Sequence, residues 1–407
     1  MSFVVAFNRD RDFYQVPLAL HERGVLTKLI TDLYSPNFGF LESLPVVSKL
    51  KHRRVEGLPW SKVSWNFEAI KLQLIDLRRA ADYSSQVKIF RRLDAKLSLA
   101  ALSLAARTKS NLLLYSGYAD EAFSSKASSG MVKGLFMFHP HDKLIQSILE
   151  DDCLQHPDIS WSIPVQSELN QPLDEWKMAD FILCASSFTA KSLNFVGCPS
   201  SKITVVPYGL HTPCMLQTKV KEDECCQFLF VGQGVQRKGL HHLFKIWDAL
   251  NLPDAFLTVV ASKIDSGIAK LKPQNNVRLL GVQSKAALLA LYSQADVFVM
   301  PSLLEGFGLV YLEALAAGCY CIGSSNTGFP DIQCPDFAGE LVISGSLESL
   351  ANAILNAYRK YKMRELEREA IANFALSITW ENFRKDIARV CLNAENKMNI
   401  NYPKSDP

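Results

Sequence analysis

Two glutamates, Glu305 and Glu313, stand with seven residues between them in the run PSLLEGFGLVYLEALAAG, Pro301 to Gly318. A Gly-Phe-Gly turn, Gly306–Gly308, follows the first glutamate, and an apolar helical run follows the turn; a strand-like run, Asp296 to Met300, precedes them. Strand, glycine turn and helix in that order aim several backbone N–H groups, at the positive end of a helix dipole, into one crevice. A diphosphate fits there, and carboxylates on either side of it suit sugar hydroxyls, which donate hydrogen bonds. These residue types point to a nucleotide-linked sugar. The plain alternative is a buried glutamate acting as a helix cap. It leaves two glutamates around one glycine turn unexplained.

A second run, FLFVGQGVQRKGL (Phe228 to Leu240), repeats the logic. A strand ends in Gly232-Gln233-Gly234, and Arg237-Lys238-Gly239 precede a helix. Glycines let a ligand approach the backbone closely; an arginine forks two phosphate oxygens and a lysine supplies a mobile point charge. Adjacent residues diverge in direction, so Lys238 is the first choice for contact and Arg237 the second. The plain alternative is a basic helix start that binds nothing. His139-Pro140-His141 is the histidine pair at a strand end in the first half, with His139 ahead of His141 as a candidate. Glu150-Asp151-Asp152 closes a helical pattern, LIQSILEDD, rather than a strand, and reads as a solvated helix end instead of a D-x-D metal site. No catalytic metal is expected.

The pattern E-G-F-G-L-V-x-L-E-A-L-A-A-G resembles the E-x7-E signature of retaining glycosyltransferases of family 4, which have the GT-B architecture. ADFILCAS (Ala179–Ser186) with KITVVPYGL (Lys202–Leu210), the Phe228–Leu240 run, and Asn276–Ser302 resemble other stretches of that family in the right order. The resemblance covers the chain from about residue 180 onward and is weak over the first 130 residues. It implies that the loop with Gly232, Gln233, Arg237 and Lys238 binds the donor diphosphate, and that Gly281 lies in the nucleotide-base segment. It implies that Glu305 contacts the transferred sugar, that Glu313 bonds the nucleotide ribose, and that the backbone of Gly306, Phe307, Gly308, Leu309 and Val310 caps the phosphates. It places His139 near the anomeric carbon. Glu305, His139 and Lys238 are then the catalytic candidates, with no cofactor or metal. The reaction implied is transfer from a nucleoside-diphosphate sugar to an acceptor hydroxyl with retention, in cell-surface polysaccharide or glycolipid synthesis. Two departures stand out. Gln233 replaces an arginine frequent in the family, and Asn8-Arg9-Asp10-Arg11-Asp12 replaces a glycine pair after the first strand. They leave open an inactive relative serving as a binding subunit, and a nucleotide-sugar epimerase is the other alternative.

These residues need a scaffold, and 407 residues suffice for two domains. Strand-like apolar runs alternate with helical patterns, which predicts an α/β fold of two Rossmann-like doubly wound halves facing a cleft. The expected division is residues 1–211, a linker over 212–224, a nucleotide-sugar domain over 225–379, a helix over about 380–395 crossing back to the first domain, and a polar, disordered tail over 396–407. Residues 35–62 read as an insertion or mobile loop. A net charge of +3 argues against a nucleic-acid partner. The basic clusters Lys49–Arg54 and Arg78, Arg79, Lys88, Arg91 and Arg92 read first as solvated faces, and second as a peripheral contact with an anionic membrane or a phosphorylated acceptor. Partners are a nucleotide sugar and a carbohydrate or lipid-linked acceptor. Ten scattered cysteines without a C-x-x-C pair read as reduced thiols, and no apolar run is long enough for a signal peptide or membrane span, so a cytoplasmic location is expected.

Overall fold

The computed structural model describes residues 2–35, 53–79, 83–161, 174–210, 225–271 and 276–401. The expected linker over 212–224 and most of the expected loop over 35–62 lie outside the described residues. The strands are β1 (Phe3–Ala6), β2 (Leu26–Thr31), β3 (Val63–Trp65), β4 (Asn111–Tyr115), β5 (Lys133–Met137), β6 (Phe181–Cys184) and β7 (Ile203–Val205), then β8 (Cys226–Gly234), β9 (Ala255–Ile264), β10 (Val277–Leu280), β11 (Val297–Met300), β12 (Tyr320–Ser324) and β13 (Gly339–Val342). They form two sheets, ordered β3-β2-β1-β4-β5-β6-β7 and β10-β9-β8-β11-β12-β13. Every pairing is parallel. Two doubly wound α/β halves are therefore present, as the alternation of apolar runs implied.

Parallel strands covered on both faces become continuous apolar runs. VFVM of β11 and NLLLY of β4 are buried at every position. In each sheet the strand order reverses beside the first strand, at β1/β4 and at β8/β11. Helices leave in opposite directions at such a point, and a crevice opens beyond the carboxyl ends of those strands. Both candidate loops emerge there: Arg237-Lys238 after β8 and Glu305 after β11.

The helices that frame the two crevices are α1 (Gln15–Glu22), α2 (Tyr83–Thr108), α3 (Asp142–Gln155), α4 (Ser187–Phe195), α5 (Leu240–Leu250), α6 (Leu309–Ala316) and α7 (Trp380–Asn401). The last one ties the halves together. Leu210 pairs with Thr379, and a Cβ at Gly209 would collide with the Trp380 amide, so only glycine permits this crossing. From there α7 packs on α1: Arg384 reaches Glu22 at 2.9 Å and Gln15 at 2.8 Å. Phe383 stands against Phe136 and Tyr208, joining α7 to the core of the first half. Each such fully buried aromatic contributes roughly 1.5–3 kcal/mol.

Several boundaries differ from expectation. The final helix runs to Asn401 rather than ending near 395, because its polar residues prolong the backbone hydrogen bonding begun by the packed N-terminal half; residues 402–407 of the expected tail lie outside the described ones. β3 takes Trp65, and the helix after it starts at Phe67, where Asn66 caps it by accepting from the Ala69 amide at 3.0 Å. β8 continues through Gly234 with a register shift between Gly232 and Gly234, so the glycines form the bulged end of a strand rather than a free loop.

Candidate functional site

After β11 the chain makes no regular structure until Gly308, and three hydrogen bonds fix it. The Leu303 amide donates to the Arg237 carbonyl at 2.8 Å, the Glu305 amide to Asn326 at 2.9 Å, and the Gly328 amide to Phe307 at 2.8 Å. Gly308 has φ +93°, a conformation side chains disfavour, and opens α6 as its N-cap residue. The first-turn amides of Leu309 and Val310 have no partner within the helix and face the positive end of its dipole. Glu313 lies further along α6 and accepts from the Tyr292 hydroxyl at 3.1 Å; burial raises its carboxyl above the usual range.

On the facing loop, Gln236–Lys238 form one tight turn, closed by Gly239 at φ +66°. A Cβ there would strike the Pro301 carbonyl, so glycine brings the two loops together. Both cations then reach Glu305. Lys238 Nζ lies 2.9 Å from Oε1, and Arg237 Nη1 pairs with the same oxygen. The sequence favoured Lys238 over Arg237; two long side chains leaving a tight turn allow both. Lys238 is buried, and burial beside the Arg237 charge pushes its ammonium well below the ordinary lysine value. Burial likewise lowers Arg237. Gly232 stands near the Lys238 stem, Gln233 is exposed, and Gly281 follows β10 with open space around it.

His139 comes from the other half, just beyond β5. A Cβ at Gly306 would collide with the Phe138 carbonyl and lie 3.0 Å from the His139 Cα. The glycine turn thus lets the first half's strand end press against the Glu305 loop. Thr189 of α4 adds a bond to the Gly306 carbonyl at 3.3 Å. Burial, with Arg11 and Arg237 nearby, pushes the His139 imidazole below its ordinary value, so it is neutral near pH 7. His141 does different work: its Nδ1 caps α3 by accepting from the Lys143 amide at 3.3 Å.

A cavity of about 280 Å³ lies at the carboxyl end of the first sheet, lined by Arg11, Asp94, Glu175, Trp176, His139 and others. The charged loop Asn8–Asp12 shapes it. Arg9, Asp12, Phe13 and Tyr14 all have positive φ, held by contacts such as the Tyr115 hydroxyl donating to Asp12 at 2.5 Å and the Arg9 amide donating to Asp32 at 2.8 Å. Arg11 lies over the Phe138 ring at 4.0 Å. Burial pushes the carboxyls of Asp12 and Asp94 up to about 8 and that of Glu175 up to about 7. Glu175 accepts from the amides of Gly117 and Ala119 at 2.9 and 2.7 Å, which limits its rise. Asp94 and Glu175 went unnoticed in the sequence, since single acids in helical stretches look like solvated faces.

The basic and acidic clusters divide. Arg53 of the Lys49–Arg54 run is half-buried and pairs with Asp32 at 3.3 Å, so it is neither a solvated nor a membrane-facing charge; Lys49 to His52 lie outside the described residues. Arg91 lines the cavity while Lys88 and Arg92 are exposed. The expected solvated end Glu150-Asp151-Asp152 is corrected at Asp152. That residue is buried between the two halves and faces His241 and His242 of α5 at 3.2 and 3.0 Å. A helix end covered by a second domain cannot be told from an exposed one by pattern alone. No helix among the described residues is long and apolar enough to cross a membrane.

Residues 217–373 match the family described as glycosyl transferases group 1. The amylovoran biosynthesis glycosyltransferase AmsK of Erwinia amylovora is 23% identical over 260 residues, 60% of each chain. The chain spans about 60% of the length of AmsK and less than half of the length of other curated relatives it matches, such as WcaL of Escherichia coli (48%). Sucrose-phosphate synthase from Thermosynechococcus elongatus superposes with a TM-score of 0.64 at 15% identity, over 98% of this chain and 100% of that one. The catalytic domain of starch synthase IV from Arabidopsis thaliana, bound to ADP and acarbose, does so at 0.63 and 14%, over 97% and 99%. At such identity the likeness is one of fold, and the fold is GT-B. The family match is thus to residues 217–373, within the second half, while the GT-B fold extends over the whole described chain.

Proposed function

We propose that the chain transfers a sugar from a nucleoside-diphosphate sugar to an acceptor hydroxyl, with retention at the anomeric carbon and without a metal at the donor. The observation that carries this reading is the convergence of Lys238 and Arg237 on Glu305, at the switch point of the second sheet and beside the first turn of α6. Two cations and a helix N-terminus neutralise a diphosphate without help from a metal. Glu305, held between them, presents its carboxylate to the hydroxyls of the sugar. Glu313 on α6 takes the ribose, and Gly281 borders the base. The bound ADP of starch synthase IV and the role of AmsK in polysaccharide synthesis agree with this reading.

Bond breaking builds positive charge on the sugar and negative charge on the leaving diphosphate. Lys238, Arg237 and the α6 amides are fixed donors aimed at that growing anion, and fixed donors need no reorganisation as the charge develops. Neutral His139 stands on the opposite wall as a hydrogen-bond partner for the donor sugar. Family members retain configuration, and the leaving phosphate is the base for the acceptor proton. The acceptor enters the cavity of the first sheet, where Arg11, Asp94 and Glu175 meet hydroxyls. The acceptor is a carbohydrate or lipid-linked sugar. The test is transfer from UDP-, GDP- and ADP-sugars by wild type, Glu305→Gln and Lys238→Ala. Wild-type rates in both variants, or donor conversion without any acceptor, would overturn the proposal.

A further inference from the structure

The site just described leaves one group of buried titratable side chains unused. Asp152 lies in the last turn of α3 in the first half, His156 caps that helix at its end, and His241 and His242 lie in the first turn of α5 in the second half. Their side chains are 4%, 6%, 1% and 3% exposed. One ligand atom from each lies within 4.8 Å of the others. Asp152 Oδ1 is 3.2 Å from His241 Nε2, 3.0 Å from His242 Nε2 and 3.9 Å from His156 Nε2, while the Nε2 atoms of His156 and His242 are 2.9 Å apart.

Hydrogen bonds alone do not satisfy this arrangement. His242 Nε2 carries at most one proton, whatever the charge of the ring. Donated to Asp152, that proton leaves the 2.9 Å contact with His156 dependent on a proton from His156, for which His242 has then no lone pair at the same nitrogen. Donated instead from His156 to His242, it leaves the His242 lone pair facing a carboxylate oxygen at 3.0 Å. A single cation at the centre satisfies all four lone pairs at once.

We propose that Asp152, His156, His241 and His242 form a zinc site that joins the two halves of the protein. Three imidazoles and a carboxylate are a borderline-soft N/O set, and four-coordinate zinc at about 2.0–2.1 Å requires ligand atoms roughly 3.3 Å apart. The spacings of Asp152 to the three histidines and of His156 to His242, 2.9 to 3.9 Å, fall on both sides of that value, and all four ligand atoms lie within 4.8 Å of one another. The outer shell is built as well. Gln236 Nε2 donates to the other carboxylate oxygen of Asp152 at 2.8 Å and to the Leu149 carbonyl at 2.8 Å, fixing the carboxylate's orientation. Trp161 packs edge-on against His241 with ring centres 5.0 Å apart, shielding it from water. A four-protein-ligand site has no open position, so the role is structural.

The experiment uses the full chain without a histidine tag, purified from zinc-supplemented culture, with metal content measured by plasma mass spectrometry. The expected result is about one zinc per chain, falling at least tenfold in His156→Gln and His242→Gln, and a lowered melting temperature after chelation that zinc restores. Wild type stripped and titrated with Co²⁺ should show the intense visible bands of tetrahedral cobalt, a readout that does not depend on any variant folding. Wild-type protein without zinc and without those bands overturns the proposal. Zinc retained in both variants overturns the assignment to these residues.

Discussion

The two crevices of this protein sit at equivalent positions in two similar sheets, yet they are electrostatic opposites. Beyond β8 and β11, buried cations are lowered by burial and share one carboxylate, Glu305. Beyond β1 and β4, burial pushes up the carboxyls of Asp94 and Glu175, which line the cavity with Arg11 and Arg91, and that of Asp12 in the loop beside it. Burial disfavours whichever charge is present, so each crevice is poised to accept a partner that restores what burial removed. The cationic one gains from an anion such as a diphosphate. The protonated carboxyls gain from hydrogen-bonding neutral groups such as sugar hydroxyls. In the proposed reaction, one architecture would separate donor from acceptor by which charge it leaves uncomfortable.

The comparison breaks most severely at the cationic side. Lys238→Ala is expected to lower the transfer rate by about 10²–10³, the scale of losing one donor to a developing oxyanion. Glu305→Gln should fall comparably, and it leaves a buried lysine and a half-buried arginine without their counterion, so a lower melting temperature should accompany the lost activity. Gly306→Ala tests whether the two crevices must touch. Its methyl collides with the Phe138 carbonyl, which forces the strand end carrying His139 away from the Glu305 loop. A loss of roughly tenfold or more in kcat, the size of effect expected when reacting groups are misplaced by about 1 Å, should be measurable at saturating donor.

The acidic side is tested by pH. The folded-state value of Asp94 is about 8, above its unfolded value, so its contribution is present at low pH and is lost as pH rises toward 8. Wild-type stability should therefore decline between about pH 4 and pH 8, and Asp94→Asn, which cannot ionise, should flatten part of that decline in denaturant titrations. Arg384→Ala probes the helix that joins the halves. Its contact with Glu22 is exposed and that with Gln15 is partly buried, and the expected loss is about 1 kcal/mol; an unchanged midpoint would mean that the α7 aromatics alone hold the return crossing.

The same contrast explains what the sequence disclosed. The second half was legible because its chemistry is local: Glu305, the glycine turn and Glu313 share one strand-turn-helix unit, and Arg237-Lys238 share another. The order of those units, with apolar runs between them, was enough to expect two doubly wound sheets. Apolar runs do not mark strands such as β2, β3 and β13, which are short or carry polar residues such as Lys28 and Glu340. The first crevice draws Arg11, Asp94 and Glu175 from three distant stretches, and nothing in the neighbours of Asp94 or Glu175 announces their burial. Asp152 was misread for the same reason: what covers it comes from α5, ninety residues away in the chain.

The tight turn after β8 has a mechanical consequence. Its three residues face two ways: Gln236 grips Leu149 and Asp152 of the first half, while Arg237 and Lys238 hold Glu305. Drawing the halves apart must pull on Gln236 before anything else in that turn, and the strain passes along the backbone to the two cations. If the protein turns over as proposed, this turn would act as a short rocker: the separation needed for a spent nucleotide to escape would also slacken the groups that retain it. Residence time of the product would then be set from the far side of the interface, by how firmly α3 holds one glutamine.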